Sequence, residues 1–454
     1  MGRRRLWGML ILFGLLSSGC AIQSMPLSLM APPKMNYSQE DVKKAIQSYL
    51  PKDSQLIIPK EQEELSAINY VDLDGDGKEE IVVFYSLPKD LSTLGILILK
   101  SQDGTNGVKS WNIEDNFTEL GKDIVYANFA DFTGDGHSDI IIGLSGGEKL
   151  NNELTLYTYQ FGRGEVIESI PYQDMAVGDV NGDGQVEVAI LNQEEKDYPE
   201  VKLTLYHYAA QQMQKIDEKK LDGYASEVKI ARAASEKVGI FVDMQIGAHS
   251  AYTELYFLQG SKLMSPFKDK PAIDQTFKAY PLNCMDINND GIMEIGIQKE
   301  PFGSENLPMV ATPWFNAWYQ WNGQGGLAWQ MESYGDYSEG YEFIIPKSWQ
   351  DRFTIKRITE GDEISAVEFY YTGKDRSQWA KLLTIQYCDK QTWSAKEEQL
   401  QVKNRPYTVV GENLQKLFVA VPEDEQENLP EPYLKEYKQI NLQKEELKSC
   451  FRFQ

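Results

Sequence analysis

Four short acidic segments constrain this chain more than any other feature. They run Asp72–Glu80, Asp131–Asp139, Asp179–Glu187 and Asp286–Glu294, and each obeys one rule, D-x-[DNT]-x-D-G-x-x-[DE]. An apolar run follows each: Ile81–Phe84, Ile140–Ile142, Val188–Leu191 and Ile295–Ile297. The first three segments are spaced by one repeat and the last by about two, so a degenerate copy is expected near residue 232. Val228–Ala231 and Val238–Val242 supply its two strands, with Arg232–Lys237 in place of the acidic loop. That makes five units. Within them, segments such as Glu153–Tyr159 and Val201–Tyr206 alternate apolar and polar residues, the mark of antiparallel strands. Roughly four strands per ~50 residues is the pattern of a propeller blade.

The acidic segments have the chemistry of a hard-cation site. Side chains at positions 1, 3, 5 and 9 offer oxygens, the carbonyl at position 7 offers another, and Ca²⁺ takes six to eight oxygen ligands. The first loop would use Asp72, Asp74, Asp76, the carbonyl of Lys78, and Glu80. The second would use Asp131, Thr133, Asp135, the carbonyl of His137, and Asp139. The third offers Asp179, Asn181, Asp183, the carbonyl of Gln185, and Glu187. The fourth offers Asp286, Asn288, Asp290, the carbonyl of Ile292, and Glu294. Position 6 is always glycine (Gly77, Gly136, Gly184, Gly291), which permits the turn that wraps oxygens around an ion. An EF-hand needs a bidentate Glu at position 12 and a following helix; Val83, Ile142, Ile190 and Ile297 stand there instead, in strand contexts.

On these motifs, residues 55–330 resemble the FG-GAP/VCBS repeat family of calcium-binding propellers. The resemblance implies a mainly β fold with a five-bladed β-propeller over residues 53–334 and up to four structural Ca²⁺ ions. The family usually carries Asp at position 9, where Glu80, Glu187 and Glu294 depart from it.

After Tyr334 the repeat ends. Glu342–Ile345, Phe353–Ile358, Ile364–Tyr371, Lys381–Tyr387, Tyr407–Val410 and Lys416–Ala420 read as strands. Thr392–Leu400, Glu431–Gln439 and Leu442–Ser449 read as helices, the last capped by Asn441. Residues 335–454 are therefore expected to form a smaller α+β domain.

The N-terminus reads as an address. Arg3–Arg5 precede an apolar stretch, Leu6–Leu16, and small residues leading to Gly19-Cys20. This resembles a bacterial lipoprotein signal over residues 1–19, with Cys20 as the lipidated residue and the mature protein tethered outside the cytoplasmic membrane. Residues 20–52 would be a proline-containing tether and a short helix from about 39 to 50.

The chain carries 45 Lys+Arg against 68 Asp+Glu, a formal charge of −23. Such a balance excludes nucleic acid as a partner, because a phosphate footprint needs clustered basic residues. Cys284, Cys388 and Cys450 are widely spaced and form no CxxC, so a zinc ribbon is unsupported. Gly143-Leu-Ser145-Gly-Gly147 matches a nucleophile-elbow pattern, but strands on both sides make it a turn. The cluster Trp314, Phe315, Trp318, Tyr319, Trp321 and Trp329 suits either a sugar-stacking platform or packing between sheets. No catalytic residue is assigned. The leading reading is a lipid-anchored binding protein recognising a protein, peptide or glycan of the cell envelope. The alternatives are an extracytoplasmic polysaccharide hydrolase or lyase and a structural module of an envelope assembly.

Overall fold

The computed structural model describes residues 39–453, except 61–64, 88–92, 104–108, 147–151, 161–162, 195–199, 269, 361–362 and 424–428. The signal segment and Cys20 lie outside the described residues. The chain is mainly β, built of several antiparallel sheets. It divides into two compact units, residues up to 173 together with 207–214, and 174–206 together with 215–454. Among the described residues, no helix is long and apolar enough to cross a membrane.

The first unit opens with helix α1 (Gln39–Tyr49). Its first sheet contains β1 (Gln55–Leu56), β2 (Ile68–Val71), β3 (Glu80–Ser86), β4 (Thr93–Asp103) and β5 (Lys109–Leu120), with β1 and β2 sharing one edge of β3. The second sheet is β6 (Asp123–Ala130), β7 (Asp139–Ser145), β8 (Asn152–Gln160) and β9 (Arg163–Tyr172), in that order. Strand β3 explains why the post-loop runs are continuously apolar. Val82 and Phe84 face one core, with Ile140 and Ile142 of β7, while Ile81, Val83 and Tyr85 face another, with Val42 and Ile46 of α1. A strand covered on both faces has no reason to alternate. The expected short helix therefore docks as a lid over the outer face of the first sheet, next to Trp111 of β5.

The next sheet is β10 (Asp174–Gly178), β11 (Glu187–Glu194), β12 (Glu200–Ala209) and β13 (Gln212–Asp222), which belongs to the second unit except for residues 207–214. The next is β14 (Tyr224–Ala234), β15 (Lys237–Ile246), β16 (Ser250–Gln259) and β17 (Lys262–Met264). This is the degenerate copy: Ala234 pairs with Lys237, so a tight hairpin replaces the acidic loop. Short helix α2 (Ala272–Thr276) leads to β18 (Ile295–Lys299), β19 (Phe315–Trp321), β20 (Leu327–Asp336) and β21 (Tyr341–Ile345). The C-terminal strand β27 (Phe451–Phe453) completes this fifth sheet against β21. Strand β20 thus runs through the expected junction at residues 334 and 335, and its hairpin partner β21 belongs to the repeat sheet rather than to a separate one.

A sixth sheet holds β22 (Phe353–Glu360), β23 (Glu363–Tyr371), β24 (Ala380–Asp389), β25 (Thr408–Glu412) and β26 (Lys416–Pro422), in the order β22-β23-β24-β26-β25. Helices α3 (Trp393–Val402), α4 (Glu431–Ile440) and α5 (Lys444–Ser449) accompany it. One aromatic core joins this region to the fifth sheet, with Tyr334, Tyr341 and Phe343 packed among Trp349, Phe369 and Phe418. Helix α5 starts later than the sequence suggested. Asn441 does not cap it but donates to the Glu423 carbonyl at 3.0 Å, and the Gln443 amide donates to Glu446 Oε2 at 2.8 Å. Cys284, Cys388 and Cys450 are all free thiols.

Candidate metal centres in the acidic loops

Each acidic loop joins the first two strands of its sheet: β2 to β3, β6 to β7, β10 to β11, and Met285, bridged to Glu294, to β18. Two left-handed residues turn each loop back on itself. Position 6 has φ of 78° at Gly77, 87° at Gly136, 91° at Gly184 and 81° at Gly291. Position 4, which the motif left unassigned, is equally special: φ is 70° at Gly75, 74° at Gly134, 81° at Gly182 and 58° at Asn289. The signal was in the sequence, since glycine and asparagine are the residues that tolerate this region.

The backbone then organises the acids identically in all four loops. The position-1 carboxylate accepts from the position-6 amide: Asp72 from Gly77, Asp131 from Gly136 and Asp179 from Gly184 at 2.9 Å, and Asp286 from Gly291 at 2.8 Å. The position-5 carboxylate accepts from the position-7 amide: Asp76 from Lys78 at 2.8 Å, and Asp135 from His137, Asp183 from Gln185 and Asp290 from Ile292 at 2.9 Å. The position-9 carboxylate reaches back to the position-2 amide: Leu73 donates to Glu80 at 3.0 Å, Phe132 to Asp139 and Val180 to Glu187 at 2.8 Å, and Ile287 to Glu294 at 2.9 Å. The latch at position 9 is buried in every case: Glu80 and Glu294 are 0 % exposed, Asp139 and Glu187 1 %.

Burial without a full set of partners raises the pKa of these latches. Desolvation pushes Glu80 and Glu187 up to about 7, and raises Glu294 and Asp139 as well, against the backbone hydrogen bonds that oppose it. Buried oxygens are left over: Asp72 Oδ1 and Glu80 Oε1 in the first loop, Thr133 Oγ1 and Asp139 Oδ1 in the second, accept no hydrogen bond. Carboxylates converge most tightly in two places. Asp72, Asp74 and Glu80 offer oxygens within 4.8 Å of one another, as do Asp286, Asp290 and Glu294. Among the described residues, the second and third loops form no such triplet. These two acidic clusters can hold a metal ion.

Internal donors meet part of the demand. In the third loop the Asn181 amide donates to Asp183 Oδ2 at 2.9 Å and Glu187 Oε1 at 2.8 Å. In the fourth, Asn288 donates to Asp290 Oδ2 and Glu294 Oε1, both at 3.1 Å, and Gln320 adds bonds to the same two oxygens at 2.9 and 2.7 Å. The oxygens of both asparagines are engaged as well, Asn181 Oδ1 accepting from the Asp183 amide at 2.7 Å and Asn288 Oδ1 from the Asp290 amide at 2.8 Å. In the first loop the donor is an ammonium, that of Lys100.

The aromatic cluster divides. Trp318 is core, 1 % exposed, with Nε1 donating to Ser333 Oγ at 3.0 Å. Trp321 packs on Phe257 with centroids 4.6 Å apart. Trp314 instead lines a cavity of about 400 Å³ together with Tyr280, Tyr337, Gln298, Asn316 and Arg357. Arg357 Nε donates to the Tyr334 hydroxyl at 3.0 Å, and its guanidinium forms no ion pair among the described residues. Nothing in the sequence pointed to Tyr280, Tyr337 or Arg357, which come from separate elements. Ser145 ends β7, and residues 147–151 of the elbow-like segment lie outside the described residues.

No family model matches this chain, and no curated protein does. Among solved structures, it is similar to a rhamnogalacturonan lyase of Bacillus licheniformis at a TM-score of 0.28 and 11% identity, over 71% of each chain. That likeness is too slight to carry an argument about fold or activity.

Proposed function

We propose that this protein is a calcium-stabilised, lipid-anchored binding protein of the cell envelope. In this reading the five repeat sheets are the blades of one propeller, and the C-terminal region is its α+β companion. The ions are structural and at most four in number. In a loop that takes an ion, the ligands are the side chains at positions 1, 3, 5 and 9 with the position-7 carbonyl, that of Lys78, His137, Gln185 or Ile292. What supports calcium is the repeated buried latch: carboxylates held at 0–1 % exposure beside other carboxylates repel one another, and a divalent cation relieves that repulsion. Lipid on Cys20 holds the protein at the membrane.

Binding is favoured over catalysis by the cavity around Trp314. Three aromatic faces, two amides and a guanidinium without an ion pair among the described residues suit recognition of a protein, peptide or glycan, and no carboxylate is among the described residues lining the cavity. The first test is thermal unfolding after EDTA treatment and again after calcium is restored. The melting temperature should fall and then recover; an unchanged melting temperature would remove calcium from the account. The second is affinity capture from the native envelope with wild type and Trp314→Ala. One stoichiometric partner retained by wild type and lost by the variant is the expected result. Equal retention by both would clear the cavity of any role.

A further inference from the structure

The four loops share one backbone frame but differ at a residue that none of the motifs contains. In the first sheet Leu99 pairs with Ile81, which places Lys100 beside Glu80. In the second sheet Tyr157 pairs with Ile140, placing Thr158 beside Asp139. In the fifth, Tyr319 pairs with Ile295, placing Gln320 beside Glu294. These are equivalent positions in three of the four loop-bearing sheets, and they hold lysine, threonine and glutamine.

The lysine has a specific seat. Its Nζ bonds Asp74 Oδ2, lies 3.1 Å from Asp76 Oδ2 and lies 3.6 Å from Glu80 Oε1. Those are the oxygens at positions 3, 5 and 9 that a metal ion in this loop would need. The ammonium donates to Asp74 and stands within ion-pair reach of Asp76 and Glu80, so one cation faces three carboxylates. A calcium ion about 2.3–2.6 Å from the same oxygens would have to stand where the nitrogen stands. Lysine and ion are therefore mutually exclusive.

We propose that Lys100 is the resident cation of the first loop, so that this loop is neutralised from within and carries no divalent ion, while the neutral Gln320 at the same position leaves the fourth loop open to a metal. The proposal rests on the calcium reading for the remaining loops. It predicts that the first loop, with the most carboxylates of the four, is the one that does not bind calcium. The fourth loop has the same convergence of three carboxylates but the neutral Gln320, and it binds.

The experiment is a reciprocal swap in the full chain, Lys100→Gln and Gln320→Lys, with calcium counted by native mass spectrometry and melting temperature recorded in EDTA and in excess calcium. Lys100→Gln should bind one more calcium ion than wild type. In EDTA its melting temperature should drop by a few degrees, because the three carboxylates lose their cation, and calcium should restore it. Gln320→Lys should bind one ion fewer and lose part of the wild type's response to calcium. An unchanged ion count in Lys100→Gln, with an unchanged melting temperature in EDTA, overturns the proposal. So does retention of the full count by Gln320→Lys, which remains decisive if the first variant does not fold. If no variant binds calcium yet Lys100→Gln is destabilised in EDTA, the calcium reading falls and the role of Lys100 stands.

Discussion

The fourth repeat sheet and its neighbours handle buried charge in opposite ways. Where an acidic loop is present, the first strand is shorter: four residues in β2, five in β10 and eight in β6. The chain then leaves the ladder, and carboxylates replace cross-strand hydrogen bonds. Where the loop is absent, β14 runs for eleven residues to a tight hairpin, with Arg232 and Lys237 near its tip. Yet this sheet also buries a carboxylate. Asp243, 5 % exposed, accepts from Lys278 Nζ at 2.7 Å, Thr253 Oγ1 at 2.6 Å and the Cys284 amide at 2.8 Å, and Lys278 is itself 0 % exposed. The loopless unit carries its counter-charge on its own chain. In the proposed reading the loop-bearing sheets leave theirs to a bound ion, or in the first loop to Lys100.

The sharpest way to break this comparison is Lys278→Met. Removing one partner of a buried pair strands the other charge and costs about 3–5 kcal/mol. Because no loop is involved, chemical denaturation should give the same loss in calcium and in EDTA. A loss that shrinks when calcium is added would mean that the fourth sheet is not independent of the ion sites.

Glu332 and Glu187 separate the two behaviours further. Glu332 on β20 is 8 % exposed, with Oε2 unpartnered, and burial pushes it up to about 7, with the charge of Asp351 adding to the effect. Its folded value lies above the unfolded one, so the native state holds the extra proton between them. The resulting stability is full below about pH 4.5 and is lost as pH rises through about 7. Glu332→Gln should thus match wild type at pH 4.5 and exceed it at pH 8 by about 1–3 kcal/mol, at about 1.4 kcal/mol per pH unit and discounted for solvent. The gain should be the same with or without calcium. Glu187→Gln should stabilise only in EDTA at pH 8 and should destabilise when calcium is present, since a ligand is lost. A gain in both conditions would show that the third loop is an Asp/Gly turn without an ion.

Much of this was legible in the sequence, for reasons that particular residues make plain. The missing loop near residue 232 was found because apolar runs survive where acidic ones are lost: Val238–Val242 still forms β15 with both faces covered. The elements after Tyr334 were readable because turn residues separate them. The junction itself was not, since Tyr334 and Tyr341 are aromatic residues of one core shared by two sheets, and a shared core leaves no compositional break. Lys100 was invisible for a different reason. Its partners lie twenty or more residues away in sequence, and the register that brings them together is set by the β3–β4 pairing rather than by any motif.

Position 4 of the loops offers the smallest and cleanest effect. Gly75, Gly134 and Gly182 adopt left-handed backbone there, and Asn289 does the same with a φ of 58°. At Gly182 an added Cβ would meet nothing within 4 Å, so the cost of a side chain is backbone strain alone. For alanine that strain is about 1–2 kcal/mol, and asparagine bears it better because its short polar side chain bonds locally. Gly182→Ala should therefore cost about 1 kcal/mol or slightly more, Gly182→Asn clearly less, and Asn289→Gly almost nothing, by denaturant midpoint at constant slope. Gly75 is the exception, because a Cβ there would stand 2.9 Å from the ring of His137 in the second loop, and alanine must cost more than at Gly182. Equal losses at Gly75 and Gly182 would mean that the His137 ring moves freely away. A larger loss at Gly75 that calcium does not alter would place the contact in the frame of the loops, independent of what they bind.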